Sequence, residues 1–206
     1  MKNKKTNDPF ETQGWALEVI TDPYQVIAHC FNLDDIAGYR CTIRQVLLSA
    51  GSSKVHRKSD PATVLRQFKA ITSVILAAKE LCHLKKSTEL KIADKQLMEK
   101  RLYAKPYSIC PEWDYMPRLL NTTEYKNPYL VFRRLLKCHD VPKWRALMDE
   151  IIDYAFASYA DKCDLNLLAL FLHFTKLMEA AHLIDVREIT HLGGYLKPGI
   201  VLQANP

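Results

Sequence analysis

The chain has 206 residues, of which 48% are hydrophobic and 25% charged, and its formal net charge at pH 7 is +6. This length allows one large domain or two small ones, and the apolar content is sufficient for a buried core. The longest uninterrupted apolar stretch, Leu167 to Leu172, is far shorter than a membrane span, and no apolar run of signal-peptide length follows the basic start. We therefore expect a soluble, cytoplasmic protein that makes no membrane contact and keeps its six cysteines reduced.

The excess positive charge is concentrated in one part of the chain. Residues 22–86 contain ten basic and five acidic residues, whereas residues 127–187 contain eight of each. A local excess of basic residues favours an acidic partner, and nucleic acid is one such partner.

In chain order, we predict a disordered N-terminus over residues 1–9 and a first helical repeat over 10–86. Three helices are expected in this repeat. Asp22-Pro23, Asp35 and Asp60-Pro61 are typical helix starts, because an aspartate side chain caps the first free amides and proline has no amide hydrogen to leave unpaired. Gly51 is expected to end the second of these helices.

A second helical repeat is predicted over residues 127–187, in which Asn127-Pro128 replaces Asp22-Pro23 as a helix start and Asp140 caps the next helix. Pro23–Ala50 aligns without a gap with Pro128–Ala155, with six of 28 positions identical, and Val64–Leu81 aligns with Leu167–Ile184. Amphipathic helices resemble one another because they share a period, which is an alternative explanation of the alignment. The shared Pro-Tyr-x-Val start and Thr-x4-Ala-Ala pattern are not required by that period, and they favour duplication.

We therefore predict an all-α fold in which two tandem three-helix repeats pack as a single pseudo-two-fold helical bundle. Residues 87–126 are a connector, with either a helix near Ser87 or a continuation of the preceding one, followed by a loop rich in proline and aromatic residues. Residues 188–206 are an irregular tail, with a short extended piece at 200–202. If the second helices of the repeats cross near the two-fold axis, Arg44 is expected to lie near Asp149.

The predicted binding site is the basic loop before the third helix. Loop amides, a helix N-terminus and basic side chains together suit phosphate groups. We predict that nucleic acid or another polyanion contacts Lys54, His56, Arg57 and Lys58, with Lys85 and Lys86 adding charge at the far end of that helix. A solvated surface loop is the alternative.

Three other patterns receive a weaker functional interpretation. Arg134-x4-His139 resembles the short motif of the HEPN ribonucleases, which implies an all-helical RNA-cleaving protein with Arg and His at its site. Asp149, Glu150 and Asp153 place three carboxylates on one side of a helix, where they could act as acids or bases or hold a divalent ion. Adjacent His and Cys residues occur three times, but their spacing does not suit a shared metal ion, and we predict neither a metal nor a cofactor.

The segments NPYLVF, from Asn127 to Phe132, and LMEAAHLI, from Leu177 to Ile184, resemble parts of a group of small, uncharacterised, all-helical bacterial proteins. This resemblance covers mainly the second repeat. It implies a helical fold in a bacterial cytoplasm, and it brings no assigned activity and no functional residues.

The function predicted from the sequence is that of a non-enzymatic helical interaction or scaffold protein with an unknown protein partner. The alternative is a regulatory, nucleic-acid-associated protein that binds through the basic first repeat. A HEPN-like ribonuclease is the third interpretation. The sequence leaves the oligomeric state open.

Overall fold

The computed structural model describes residues 7–52, 54–83, 96–104, 111–157 and 163–197. The described residues are mostly helical, which confirms the predicted all-α class. A 3₁₀ turn covers Lys100–Leu102, and strands β1 (His191–Leu192) and β2 (Tyr195–Leu196) pair as a short antiparallel hairpin. Helices α1 to α9 span Gln13–Ala16, Pro23–Leu33, Ile36–Ala50, Pro61–His83, Glu112–Tyr115, Thr122–Lys126, Tyr129–Cys138, Val141–Phe156 and Leu167–Arg187.

Aspartate side chains start the long helices where the sequence predicts it. The carboxylate of Asp22 accepts a hydrogen bond from the backbone N–H of Tyr24 at 2.9 Å, and Pro23 is the first helical residue. Asp35, Asp60 and Asp140 make corresponding bonds to the amides of Gly38, Thr63 and Lys143. Helix α7 differs from the prediction: it begins at Tyr129 after Pro128, and no side chain caps it.

Two groups of three helices form most of the fold. In the first group α2 packs along α4, and in the second α7 packs along α9. Across the groups, α3 lies against α8, α4 contacts α7 and α8, and α9 contacts α2 and α3. A single core cluster takes buried residues from all six of these helices.

Helix α9 runs through this core. Every side chain from Leu177 to Asp185 is buried. Within the described residues, α9 is the one helix that is long and apolar enough to cross a bilayer; its 18-residue window has a mean hydropathy of 1.4, and 61% of that window is buried inside the fold. Its position in the core accounts for this composition.

The segments outside the two groups pack on them. The carboxylate of Asp8 accepts hydrogen bonds from the amides of Thr12 and Gln13 at 3.0 and 2.8 Å, so the chain is ordered around the start of α1. In the connector, Tyr115 is buried in the core, whereas Trp113 is 69% exposed. The predicted disorder at 1–6, the continuation of the helix after His83 through 84–95, and the extended piece at 200–202 lie outside the described residues.

Candidate functional site

A groove lies between the outer face of α3 and the loop that leads to α4. It encloses about 750 Å³. Within this described lining, three side chains are cationic and none is acidic. We call this surface the basic groove, and it is lined by Gln45, Leu48, Ser49, Ser52, Lys54, Val55, Arg57 and Lys58.

Three of the four residues of the predicted site line the basic groove, and His56 lies behind it. The His56 residue is only 3% exposed. Its Nδ1 lies 3.1 Å from Oγ of Ser49, and its Nε2 lies 2.8 Å from Oγ of Ser59. Both ring nitrogens therefore have protein partners, and His56 is not placed to contact a ligand.

His56 instead ties the loop to the second group of helices. Its backbone N–H donates to the carbonyl oxygen of Ala155 at 2.8 Å, and its ring packs edge-on against Phe156 with centroids 5.6 Å apart. The loop begins at Gly51, where a β-carbon would lie 2.7 Å from Cδ1 of Leu167, so glycine permits the close approach to α9. These contacts give the basic side chains a fixed support.

The chemistry of the basic groove is that of binding. Lys54, Arg57 and Lys58 are exposed cations that can pair with carboxylates or phosphates. Leu48 is 59% exposed and offers an apolar surface beside them. The carboxylate of Asp60 is turned away, onto the amide and hydroxyl of Thr63 at the start of α4. Ser49 lines the groove beside the imidazole of His56, but its hydroxyl donates to the carbonyl oxygen of Gln45 at 2.9 Å, so its proton is not directed at Nδ1 as that of an activated nucleophile would be.

The Arg134 and His139 side chains have separate partners. The guanidinium of Arg134 pairs with the buried carboxylate of Glu124. The ring of His139 packs edge-on against Trp144, with centroids 4.9 Å apart. Neither contact indicates a joint role in RNA cleavage, and the nuclease interpretation stays a prediction.

The carboxylate cluster on α8 forms no metal site in the structure. Among the described residues, no group of three His, Cys, Asp or Glu side chains is arranged to hold a metal ion. Asp149 lines a cavity of about 380 Å³ together with Lys69 and Arg145. Arg44 is exposed, and no ion pair in the described part of the chain joins it to Asp149.

Two clusters of polar side chains were missed by the sequence analysis, because each joins residues far apart in the chain. The hydroxyl groups of Tyr24 and Tyr129 lie 3.1 Å apart, and that of Tyr129 donates to Glu188 at 2.6 Å. Burial, together with the hydrogen bonds to Glu188 and Tyr24, raises the pKa of Tyr129. The alignment of Tyr24 with Tyr129 was the available signal for this cluster.

The second cluster pairs Cys138, at the end of α7, with His173 on α9. The Sγ atom lies 3.8 Å from Nε2 of His173. Sequence reasoning compared Cys138 only with its neighbour His139, and no local pattern identifies a histidine 35 residues away.

Comparison of the chain with models of protein families, with curated proteins and with solved structures finds no match. The resemblance to small helical bacterial proteins therefore stays a prediction, and the function has to be argued from the geometry above.

Proposed function

We propose that this chain is a non-enzymatic interaction protein that binds an acidic segment of a protein partner in the basic groove. The observation that carries the proposal is the lining itself: three exposed cations without an acidic neighbour in the lining, beside an exposed leucine. Cations attract the carboxylates of a partner, and Leu48 can bury against one of its apolar side chains.

The fixed support of the groove favours this function. A loop that is already ordered loses less conformational entropy on binding than a mobile one. His56 holds the loop from behind, through its ring and through its backbone amide. The cations therefore meet a partner from a preorganised surface.

Nucleic acid is the second candidate ligand for the same groove. Lys54, Arg57 and Lys58, which have no acidic neighbour in the described lining, could equally neutralise phosphates. The described lining contains no aromatic side chain on which a base could stack, so this interpretation is confined to backbone contacts.

The proposal includes a duplicated architecture with an approximate two-fold axis. Tyr39 and Trp144 occupy aligned positions, and each side chain donates a hydrogen bond to the carbonyl nine residues earlier. Tyr39 donates to Cys30 and Trp144 donates to Leu135, both at 3.1 Å. Those two acceptors are also aligned with each other. The hydrogen bond between Tyr24 and Tyr129 joins two aligned residues, as expected for side chains that meet on the axis.

The cytoplasmic, bacterial setting belongs to the proposal as well. It agrees with the five described cysteines, none of which forms a disulfide.

The test compares two labelled probes by fluorescence anisotropy: a peptide of glutamate and leucine residues, and a short DNA duplex. We expect the peptide to bind wild-type protein and to lose at least about tenfold in affinity when Lys54, Arg57 and Lys58 are changed to Ala, since each surface charge contributes up to about 1 kcal/mol. Leu48→Ser should weaken binding of the peptide and leave binding of the duplex unchanged.

Salt dependence and a matched control separate the outcomes. If the groove binds DNA, the logarithm of the affinity should fall with the logarithm of salt concentration at a slope of about −3 for three phosphate contacts. Lys79, Arg133 and Lys143 are exposed and lie outside the groove; their triple Ala variant removes the same charge and should bind like the wild type. Equal losses in both triple variants, or no binding of the peptide at low salt, would refute the proposal.

A further inference from the structure

The pair formed by Cys138 and His173 lies away from the basic groove. Cys138 is exposed at the C-terminal end of α7, and His173 is half-buried on α9. The thiol sulfur and Nε2 of the imidazole are 3.8 Å apart, within the range of a hydrogen bond that involves sulfur. An exposed thiol beside an imidazole is the arrangement in which a base activates a nucleophile.

The imidazole of His173 is held in position by packing. Its ring lies edge-on to Trp144, with centroids 5.4 Å apart. Trp144 is fully buried and is fixed in turn by the hydrogen bond from its Nε1 to the Leu135 carbonyl at 3.1 Å. The packing on Trp144 therefore fixes the His173 ring with its Nε2 facing the Sγ atom of Cys138.

The protonation state of the imidazole suits a base. Burial, followed by the nearby His139 and Lys176, lowers the pKa of His173 below its usual range. At neutral pH the ring is then mostly neutral, so Nε2 can accept the thiol proton.

We propose that Cys138 and His173 form a reactive thiol–imidazole pair, which is a covalent modification site for soft electrophiles and small disulfides. With a disulfide, the proton of Cys138 passes to Nε2 of His173 and the thiolate attacks one sulfur of the reagent. The reagent's S–S bond breaks as the mixed disulfide forms. The departing thiolate takes the proton from the imidazolium, so that one disulfide is exchanged for another and a thiol is released.

Three of the other described cysteines offer graded controls. Cys41 is also exposed, but its sulfur accepts a hydrogen bond from the amide nitrogen of Gln45 at 3.1 Å, and an amide is no base. Burial raises the pKa of Cys82, and Cys30 is buried in the core. Reactivity should therefore fall in the order Cys138, Cys41, Cys82, Cys30.

The test exposes the full chain at neutral pH to limiting iodoacetamide and, separately, to oxidised glutathione, and quantifies modification of each cysteine by peptide mass mapping. We expect Cys138 to react at least about threefold faster than Cys41, because Cys138 has an imidazole beside it that can take the thiol proton and Cys41 has only an amide. His173→Gln should reduce the rate at Cys138 to that at Cys41 and leave Cys41 unchanged.

The comparison within the wild-type protein needs no variant and decides the proposal even if His173→Gln fails to fold. Equal rates at Cys138 and Cys41 would overturn it. A folded His173→Gln protein, verified by circular dichroism, in which Cys138 keeps its wild-type rate would overturn it too.

Discussion

Helices α4 and α9 are the third and longest helices of their groups, yet α4 keeps its charged residues in solvent, whereas α9 buries both of its acidic residues and His182. On α4, Lys79 and Glu80 are exposed. On α9, Glu179, His182 and Asp185 are each at most 1% exposed. The difference lies in what covers each helix, because the connector packs on α9 and Lys197, which follows the C-terminal hairpin, pairs with Asp185.

The connector supplies partners for Glu179 and His182, whereas Asp185 pairs with Lys197 of the C-terminal tail. The carboxylate of Glu179 accepts hydrogen bonds from Nε of Arg40 at 3.0 Å and from the amides of Arg118 and Leu119 at 2.9 Å. Arg40 donates its remaining hydrogen bonds to the carbonyls of Asp114 and Met116 at 2.8 Å. A buried charge is tolerated when it is paired and hydrogen-bonded, and here both carboxylate oxygens of Glu179 and all three guanidinium nitrogens of Arg40 have partners.

Further along α9, the same segment is held twice more. The Nε2 atom of His182 lies 2.7 Å from the carbonyl oxygen of Tyr103. Arg187 donates to the carbonyls of Leu102 and Tyr125 and stacks over the ring of Tyr125 at 4.5 Å. The polar residues of α9 thus fasten the connector to the core, whereas those of α4 contact the N-terminal segment at Trp15.

The largest expected effect comes from removing the Glu179 carboxylate, which binds Arg40 and two amides of the connector. Glu179→Ala leaves the Arg40 guanidinium buried without its counter-charge, and we expect a loss of about 3–5 kcal/mol in the free energy of unfolding, measured by urea denaturation. Arg118→Ala is the control, because it removes an exposed ion pair with Asp114 and should cost less than about 1 kcal/mol. Similar losses in the two variants would show that the buried carboxylate of Glu179 stabilises the protein no more than an exposed ion pair does.

A second test examines what the two groups share. Trp144→Phe removes the hydrogen bond to the Leu135 carbonyl and leaves a cavity in a fully buried site, so we expect a loss of about 2–4 kcal/mol. Tyr39→Phe removes only the hydroxyl that donates to the Cys30 carbonyl, and it should cost about 1–2 kcal/mol. Both are measured by thermal and urea unfolding.

A neutral result at either position would argue against equivalent roles for the two aromatic residues. The matched control is Phe31→Leu, which changes a buried ring that donates no hydrogen bond and sits edge-on to Tyr39. Its loss should reflect packing alone, about 1 kcal/mol.

Local signals were enough to predict much of the helical framework. Asp22-Pro23, Asp35 and Asp140 predicted helix starts because capping depends on residues two or three positions apart. The prediction for Asn127 was wrong because the preceding helix α6 ends there: its amide donates to the Thr123 carbonyl, and α7 begins without a side-chain cap.

What could not be predicted depends on distant partners. Nothing near Glu179 in the sequence indicates that Arg40 and the amides of the connector surround it, since those groups lie 60 to 139 residues away. The same reason hid the role of His56. A histidine among lysines suggests an exposed basic loop, and only its packing on Phe156 and hydrogen bonding to two serines show that it faces inward.

The smallest expected effect concerns the two caps that start α3 and α8. Asp35 accepts from the amide of Gly38 at 2.8 Å, and Asp140 accepts from that of Lys143 at 2.9 Å. Loss of such a cap typically costs about 1 kcal/mol, so Asp35→Ala and Asp140→Ala should each destabilise the protein by about that amount in urea unfolding.

The two caps should nevertheless differ by a few tenths of a kcal/mol, because their neighbours differ in charge. Burial raises the pKa of the Asp34 carboxyl. The hydrogen bond that this carboxyl accepts from the backbone N–H of Asp35 at 2.8 Å lowers the pKa, and repulsion from the negative charge of Asp35 raises it. Asp35→Ala relieves this repulsion, whereas Asp140 follows His139 and has no acidic neighbour in the sequence. We therefore expect Asp35→Ala to be the milder change, and a milder Asp140→Ala would show that repulsion from Asp34 does not weaken the first cap.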